Sequence, residues 1–100
     1  MSSNTKLVDL NLSANKIQKI DVRQLVVLDI LDLSGNLITE IDLSASYKLK
    51  TLKICSNRLK KVNFGYVQSI LEMNVEDNLI ADLEQFKSLI YLNKLNFARN

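Results

Sequence analysis

The chain has 100 residues, a length that predicts a single domain. Apolar residues make up 47% of it and charged residues 24%, and the formal net charge of +2 is too small to indicate a nucleic-acid or membrane partner by itself. One cysteine excludes an internal disulfide and a cysteine metal cluster, and the lack of histidine removes the commonest general base and zinc ligand.

The first residues, MSSNTKLVDL, contain no charged segment followed by an apolar core, which is the pattern of a secretory signal. We therefore expect an intracellular protein, cytoplasmic or nuclear. No stretch approaches about 18 consecutive apolar residues, so no membrane span is predicted. Only two glycines are present and neither lies in a nucleotide-binding motif. We expect no cofactor, no metal and no enzymatic activity.

Asparagine recurs along the chain at spacings of 21, 21, 21 and 22 residues. Around each asparagine the apolar residues keep the same register, which reads LxxLxLxxNxLxxI. Self-similarity at this period predicts a solenoid of stacked turns that share one core. The pattern divides the single domain into repeats of about 7–27, 28–48, 49–69 and 70–91 and a partial repeat, 92–100.

Each repeat begins with an LxL segment that predicts a short strand with both leucines pointing inward and the residue between them pointing outward. A second apolar segment follows the asparagine as IDV, IDL or VNF at residues 20–22, 41–43 and 62–64. These segments predict short extended or 3₁₀ pieces on the opposite side of the coil. Residues 83–91 differ, since Leu83, Phe86 and Leu89 have helical spacing and predict a helical turn.

With these motifs the sequence resembles the leucine-rich-repeat superfamily over essentially its whole length. The last unit, LIADLEQFKSLIYLNKLNFARN, resembles the 22-residue type of protein-phosphatase regulators and of a spliceosomal subunit. The resemblance implies an α/β-type repeat protein, a right-handed solenoid with a parallel β-sheet on the concave face and a mostly non-helical convex side. It also implies an adaptor or scaffold that binds a protein partner on the concave face.

The recurrent asparagines are interpreted as structural. An amide side chain has two donors and an acceptor, enough to satisfy backbone groups of adjacent turns that water does not reach. This structural ladder consists of Asn15, Asn36, Asn57, Asn78 and Asn100.

The outward positions of the strands are the candidate partner-binding residues. Ile30 is the one large apolar residue among them, and it is either a contact or a scattered surface hydrophobe. Cys55 occupies an outward position, but without a histidine to activate it we interpret it as a small surface residue. The candidates are Asp9, Asn11, Ser13, Ile30, Asp32, Ser34, Thr51, Lys53, Cys55, Glu72, Asn74, Glu76, Lys94 and Asn96.

The third repeat offers an alternative function. No acid lies between Leu43 and Leu71, whereas six bases do, so this segment is a candidate phosphate-binding belt of a ribonucleoprotein-associated subunit. Folding the sequence on its period dilutes the positive field, because it places Lys50 beside Asp29, Lys53 beside Asp32, and Lys61 between Glu40 and Asp82. The possible RNA contacts that remain are Lys48, Arg58 and Lys60.

The two ends of the repeat array are expected to need covering. Residues 1–6 contain one large apolar side chain, and Leu92, Leu95 and Phe97 would lie at an uncovered edge after the last full repeat. Terminal repeats normally carry a polar cap. We therefore expect both ends to be covered by further repeats or by a partner.

Overall fold

Seven strands of three residues and one 3₁₀ helix make up the regular structure in the computed structural model, which describes residues 6–100. Five strands form a parallel sheet, here called the five-stranded face, in the order β1-β2-β4-β6-β7. Two further strands form a second parallel pair, β3-β5. The strands are β1 Asp9–Asn11, β2 Ile30–Asp32, β3 Glu40–Asp42, β4 Thr51–Lys53, β5 Lys61–Asn63, β6 Glu72–Asn74 and β7 Lys94–Asn96.

The strand register follows the sequence period. Leu31 of β2 pairs with Leu10 and Leu52 on its two sides, each 21 residues away, and Met73 of β6 pairs with Leu95, 22 residues away. Such pairing requires the chain to complete one coil per repeat. The predicted solenoid with a parallel sheet is therefore confirmed.

The core lies between the two sheets, where the inward residues of every described turn meet. The central strand residues Leu31 and Leu52, and Leu33 and Ile54 beyond the strand ends, have no exposed surface. A side chain of this size stabilises the fold by about 1.5–3 kcal/mol when it is fully buried. Since each turn covers the next, burial is shared along the stack and no single turn has a core of its own.

The second sheet departs from its predicted bounds. Its strands begin one residue earlier than IDL and VNF, and residues 20–22 form no strand. On the other side, the Gln85 side chain accepts a hydrogen bond from the Val62 N–H at 2.7 Å and donates to the Lys60 carbonyl. This amide takes the place of a further strand beside β5. The sheet consequently contains two strands in the described part of the chain.

The predicted helical turn is a 3₁₀ helix over Leu83–Phe86. The helical spacing predicted that Leu83, Phe86 and Leu89 share one face. Instead Leu83 is exposed, while Phe86 and Leu89 are buried. The reason is that a single 3₁₀ turn presents one side to the core, and Phe86 fills it by edge-on contacts with Phe64 and Phe97. Asp82 caps the helix by accepting a hydrogen bond from the Glu84 N–H.

The last repeat is covered less than the others. Every residue of β7 is exposed, including Leu95, and Leu92 and Phe97 are half-buried. These are the residues expected at an uncovered edge. The corresponding expectation for the first repeat falls mainly on residues 1–5, which lie outside the described part of the chain.

Two edges connect the sheets. From the five-stranded face the chain crosses to the second sheet along what we call the asparagine edge and comes back along what we call the return edge. The asparagine edge consists of residues 12–18, 33–39, 54–60, 75–81 and 97–100, and the return edge consists of residues 22–29, 43–50, 64–71 and 86–93.

Candidate binding surfaces

The first outward column of the five-stranded face begins each strand and is open to solvent. Ile30 is 38% exposed, and Thr51 beside it is half-buried. Glu72 and Lys94 are neighbours in the register and form an ion pair at 3.8 Å. The column consists of Asp9, Ile30, Thr51, Glu72 and Lys94.

The second outward column ends the strands and is engaged with the backbone. The Oδ1 atom of Asp32 accepts a hydrogen bond from the Ser34 N–H two residues later, at 3.0 Å. Asn11, Asn74 and Asn96 accept the equivalent bonds at 3.0–3.2 Å. This Asx turn satisfies a backbone group where the strand stops. Sequence reasoning nominated these residues for partner binding only and missed this role.

The third set of candidates does not lie on the strands, contrary to the prediction. Each strand is three residues long and ends at the second column, so Ser13, Ser34, Cys55 and Glu76 lie in the turns that follow. In three of these repeats the Asx bond holds the chain in a turn at that point, and the third repeat turns there without one. Cys55 is half-buried and follows Lys53, which has no side-chain acceptor.

Glu76 is held within the protein as well. Its carboxylate accepts hydrogen bonds from the Asn96 amide, at 2.8 Å, and from the Arg99 guanidinium. Its side chain is 25% exposed. Glu76 therefore links the fourth and fifth repeats, and little of its carboxylate is open to a partner.

The ladder asparagines bond across successive turns. The Asn57 side-chain oxygen, Oδ1, accepts a hydrogen bond from the Ile38 N–H at 3.0 Å. Its side-chain nitrogen, Nδ2, donates to the backbone carbonyls of Leu33 and Ile54. Asn36 and Asn78 make the equivalent bonds and are likewise buried. Each amide thus closes its own turn and ties it to the preceding one.

Asn15 and Asn100 stand at the ends of the series and are exposed. Asn15 donates to the Leu12 and Ser13 carbonyls of its own turn. Asn100 retains the complete pattern, since it accepts from the Ile80 N–H and donates to Val75. The ladder is therefore continuous from the second repeat to the fifth.

A left-handed residue precedes each ladder asparagine, a feature that sequence reasoning missed. Only one of the five positions holds glycine, Gly35, so composition gives no signal for it. The left-handed conformation aims the backbone N–H at the next turn, as in the bond from Ala14 to the Ser34 carbonyl at 2.8 Å. The positions, with φ of 54–71°, are Ala14, Gly35, Ser56, Asp77 and Arg99.

The basic residues of the third repeat do not form one belt. Lys48 lies on the return edge, whereas Arg58 and Lys60 lie on the asparagine edge, on the other side of the coil. The strand β4 lies between Lys48 and Arg58 along the chain and separates the two edges. The three residues thus lie on two different edges, and their contact with RNA stays a prediction.

The register does place Lys53 beside Asp32 and Lys61 beside Glu40. In neither pair do the lysine nitrogen and the carboxylate oxygen come within 4.0 Å of each other. Among the ion pairs of residues 6–100, the one that joins neighbouring strands is Glu72 with Lys94. The predicted neighbours are thus correct for the backbone. Three of the four side chains are exposed and Asp32 is bonded to the Ser34 N–H instead. An ion pair at such a surface contributes at most about 1 kcal/mol.

Charge is instead divided between faces and edges. The strands of the five-stranded face carry two bases and three acids, and the second face, residues 19–21, 40–42, 61–63 and 82–85, carries two bases and five acids. The return edge carries four bases and one acid, and the asparagine edge four bases and two acids. Positive charge therefore follows the two edges.

The second face holds the larger of two surface depressions, about 670 Å³ against about 280 Å³ on the five-stranded face. Hydrogen bonds from the Arg23 side chain and backbone lower the pKa of Asp21 to about 2. Hydrogen bonds from the Ser44 hydroxyl and N–H lower the pKa of Asp42. Both carboxylates are thus ionised at neutral pH. The sequence analysis did not nominate this face.

Comparison with known proteins gives a structural relative. The functional domain of InlJ from Listeria monocytogenes, which includes a cysteine ladder, superposes on this chain with a TM-score of 0.86 and 29% sequence identity over 94% of the chain. The chain is a leucine-rich-repeat-type solenoid. It spans about a fifth of the InlJ chain, 21%. No protein-family model and no curated protein matches the sequence.

The repeated polar residue of this solenoid is asparagine, and its single cysteine, Cys55, lies two residues before a ladder position.

In residues 6–100 no three histidine, cysteine or acidic side chains come together as a metal site would require. No helix of the described residues has the length and apolar character needed to cross a membrane. The resemblance of the last unit to the phosphatase-regulator type stays a prediction.

Proposed function

We propose that the chain is a protein-interaction module whose partner binds on the five-stranded face, centred on the first outward column. Solenoids of this type commonly serve as interaction modules. The observation that carries the proposal is the contrast between two columns on one face. Four of the five second-column side chains are committed to Asx turns that end the strands, whereas the side chains of the first column make no hydrogen bond within the described residues.

The chemistry of the first column describes the partner it would suit. Ile30 lies between Asp9 and Thr51 and supplies an apolar anchor, and the depression of about 280 Å³ runs from Thr51 across Glu72 to Lys94. Protein–protein interfaces typically combine an apolar centre with a polar rim. A partner segment with an apolar side chain flanked by charges of both signs would match it. The proposal includes no catalytic step.

The double substitution Ile30→Asp with Thr51→Arg tests the assignment. Both side chains point outward, so we expect partner capture to fall at least tenfold while the melting temperature changes little. The matched control is Leu79→Asp with Thr39→Arg, the same chemistry at two exposed positions of the asparagine edge. Full-strength capture by the first variant, or an equal loss in both, would place the partner elsewhere.

Cys55 offers a second, independent test. It is the one cysteine of the chain and borders the five-stranded face at the end of β4. A photoreactive maleimide attached there should cross-link a bound partner. The control moves the thiol to the asparagine edge with Cys55→Ser and Thr39→Cys, since Thr39 is exposed there. Cross-linking from position 39 but not from position 55 would contradict the proposed site.

A further inference from the structure

All three tyrosines of the chain lie on the return edge. Tyr47, Tyr66 and Tyr91 are 62%, 92% and 63% exposed, and they belong to three consecutive return turns. Each turn closes with the same backbone bond, for example from Ser46 to Leu43 and from Val67 to Phe64. The turns are therefore equivalent, and the three tyrosines occupy three different positions within them.

Aliphatic side chains extend this aromatic surface. Val26 and Ile90, in the first and last return turns, are 42% and 63% exposed, and Leu71 at the end of the third turn is 42% exposed. The ends of the turns stack through the bonds from Lys50 to Asp29 and from Leu71 to Lys50, each 2.9 Å. Neighbouring turns are thus about 4.8 Å apart. We call the six exposed apolar side chains of this edge the apolar strip, in which the exposed Gln68 stands between Tyr47 and Ile90 in the register.

The charge on the strip is positive and partly uncompensated. Of the four bases on the return edge, Arg23 pairs with Asp21 at 2.9 Å and Lys87 pairs with Glu84 at 3.6 Å. Lys48 and Lys50 are not in any of the ion pairs of residues 6–100. Both lysines follow Tyr47 in its turn, and Asp29, the one acid of this edge, lies beside Lys50 in the register. An apolar strip on an edge with four bases and one acid is complementary to an acidic ligand with apolar side chains.

We propose that the return edge is a second binding surface, which takes an acidic peptide segment carrying aliphatic or aromatic side chains. The ligand's apolar side chains lie on Tyr47 and Tyr66, and its carboxylates meet Lys48 and Lys50. A peptide fits better than RNA because half of the strip is aliphatic, whereas single-stranded nucleic acid requires a basic groove that tracks the backbone. This surface is separate from the five-stranded face and does not depend on the function proposed for that face.

The chain supplies its own probe for this surface. It contains no tryptophan, so its intrinsic fluorescence comes from the three tyrosines of the return edge alone. We would titrate the full chain with a set of 12-residue peptides that combine Asp or Glu with Leu or Phe and lack Tyr and Trp. Tyrosine emission should change saturably with the acidic peptides. Peptides with Lys in place of every acid should leave it unchanged, and a 12-nucleotide uridine RNA should bind at least tenfold more weakly.

Variants locate the effect, with binding followed by the anisotropy of labelled peptides. Tyr47→Ser with Tyr66→Ser, and separately Lys48→Glu with Lys50→Glu, should each weaken binding at least tenfold. Ile30→Asp with Thr51→Arg should bind like the wild type, which separates this site from the five-stranded face. The proposal is overturned if no acidic peptide binds, if the basic peptides bind equally, if RNA binds more tightly, or if only the Ile30 variant loses binding.

Discussion

Along the asparagine edge each turn contains a left-handed residue followed by an asparagine, and from the second repeat onward the amide of that asparagine bonds to two turns. Along the return edge each turn is closed by a backbone bond and by apolar side chains that point inward, such as Leu25 and Val67. Side-chain hydrogen bonds thus hold the turns of the asparagine edge, and apolar packing holds the turns of the return edge. The outward residues of the return edge are consequently free to vary, and that is where the exposed aromatic residues are found.

The comparison predicts that removing a central ladder amide has the largest effect on stability. Asn57→Ala leaves the Ile38 N–H without its partner inside the stack. The Leu33 and Ile54 carbonyls lose one bond each but still accept from the amides of the neighbouring ladder asparagines. A buried unsatisfied group costs about 1–3 kcal/mol, so we expect the free energy of unfolding to fall by about 2–3 kcal/mol. Urea denaturation followed by circular dichroism measures it.

Asn15→Ala is the matched control. Asn15 is exposed and its amide bonds only within its own turn, where water can replace it. We expect a loss below about 1 kcal/mol. Equal losses for the two variants would show that the amides do not act by joining turns.

The strand register was predictable because it is encoded redundantly. Every repeat carries apolar residues at the same positions, and a shift of one residue would expose the whole set. The period alone therefore placed Leu31 beside Leu10 and Leu52, as observed. The helical spacing of Leu83, Phe86 and Leu89 was weaker evidence, because three residues within one short segment specify no register.

The candidate surface was less predictable, for a physical reason. Asp32 and Asn74 alternate outward exactly as a contact residue would, and nothing in the strand pattern shows that their side chains turn back to the N–H two residues later. The same is true of the left-handed column, where Ala14 and Ser56 adopt a conformation that their residue types do not favour. In both cases tertiary pairing of neighbouring turns overrides local preference.

The return edge contains one exception to apolar packing, and removing it should stabilise the fold. Ser46 is fully buried and its hydroxyl has no hydrogen-bond partner among the described residues, whereas Leu25 and Val67 occupy the equivalent positions. Ser46→Ala should raise the free energy of unfolding by about 1 kcal/mol, since it removes an unsatisfied polar group. That corresponds to an increase in melting temperature of about 4–8 °C, measurable by calorimetry.

Ser44→Ala, two residues earlier, provides the contrast. The Ser44 hydroxyl donates to Asp42, so its loss should leave stability unchanged or lower it. Destabilisation by Ser46→Ala would mean that this hydroxyl is satisfied in solution and that the return turns are not purely apolar.

A smaller effect distinguishes the backbones of the two edges. Ala14 has φ of 58°, a conformation that costs a residue with a Cβ about 1–2 kcal/mol. Ala14→Gly removes that cost but adds freedom to the unfolded chain, so we expect a net gain of about 0.5 kcal/mol. Ala45 on the return edge has no positive φ, and Ala45→Gly should destabilise by about 0.5 kcal/mol. Chemical denaturation of both variants should therefore show shifts of opposite sign.

The smallest predicted effect concerns pH. The ladder amides of the asparagine edge do not titrate, whereas two of the return turns follow a carboxylate, Asp21 or Asp42. Asp42 accepts two hydrogen bonds from Ser44, and these lower its pKa in the folded state. A lowered pKa contributes stability that is present above the unfolded value of about 3.9 and is lost as pH falls through the folded value. Wild-type stability should therefore decline below about pH 4, and Asp42→Asn, which keeps the acceptor oxygen but does not titrate, should decline less steeply. Melting temperatures between pH 2 and pH 6 measure the difference, and parallel curves for the two proteins would show that this carboxylate does not couple the return turn to the fold.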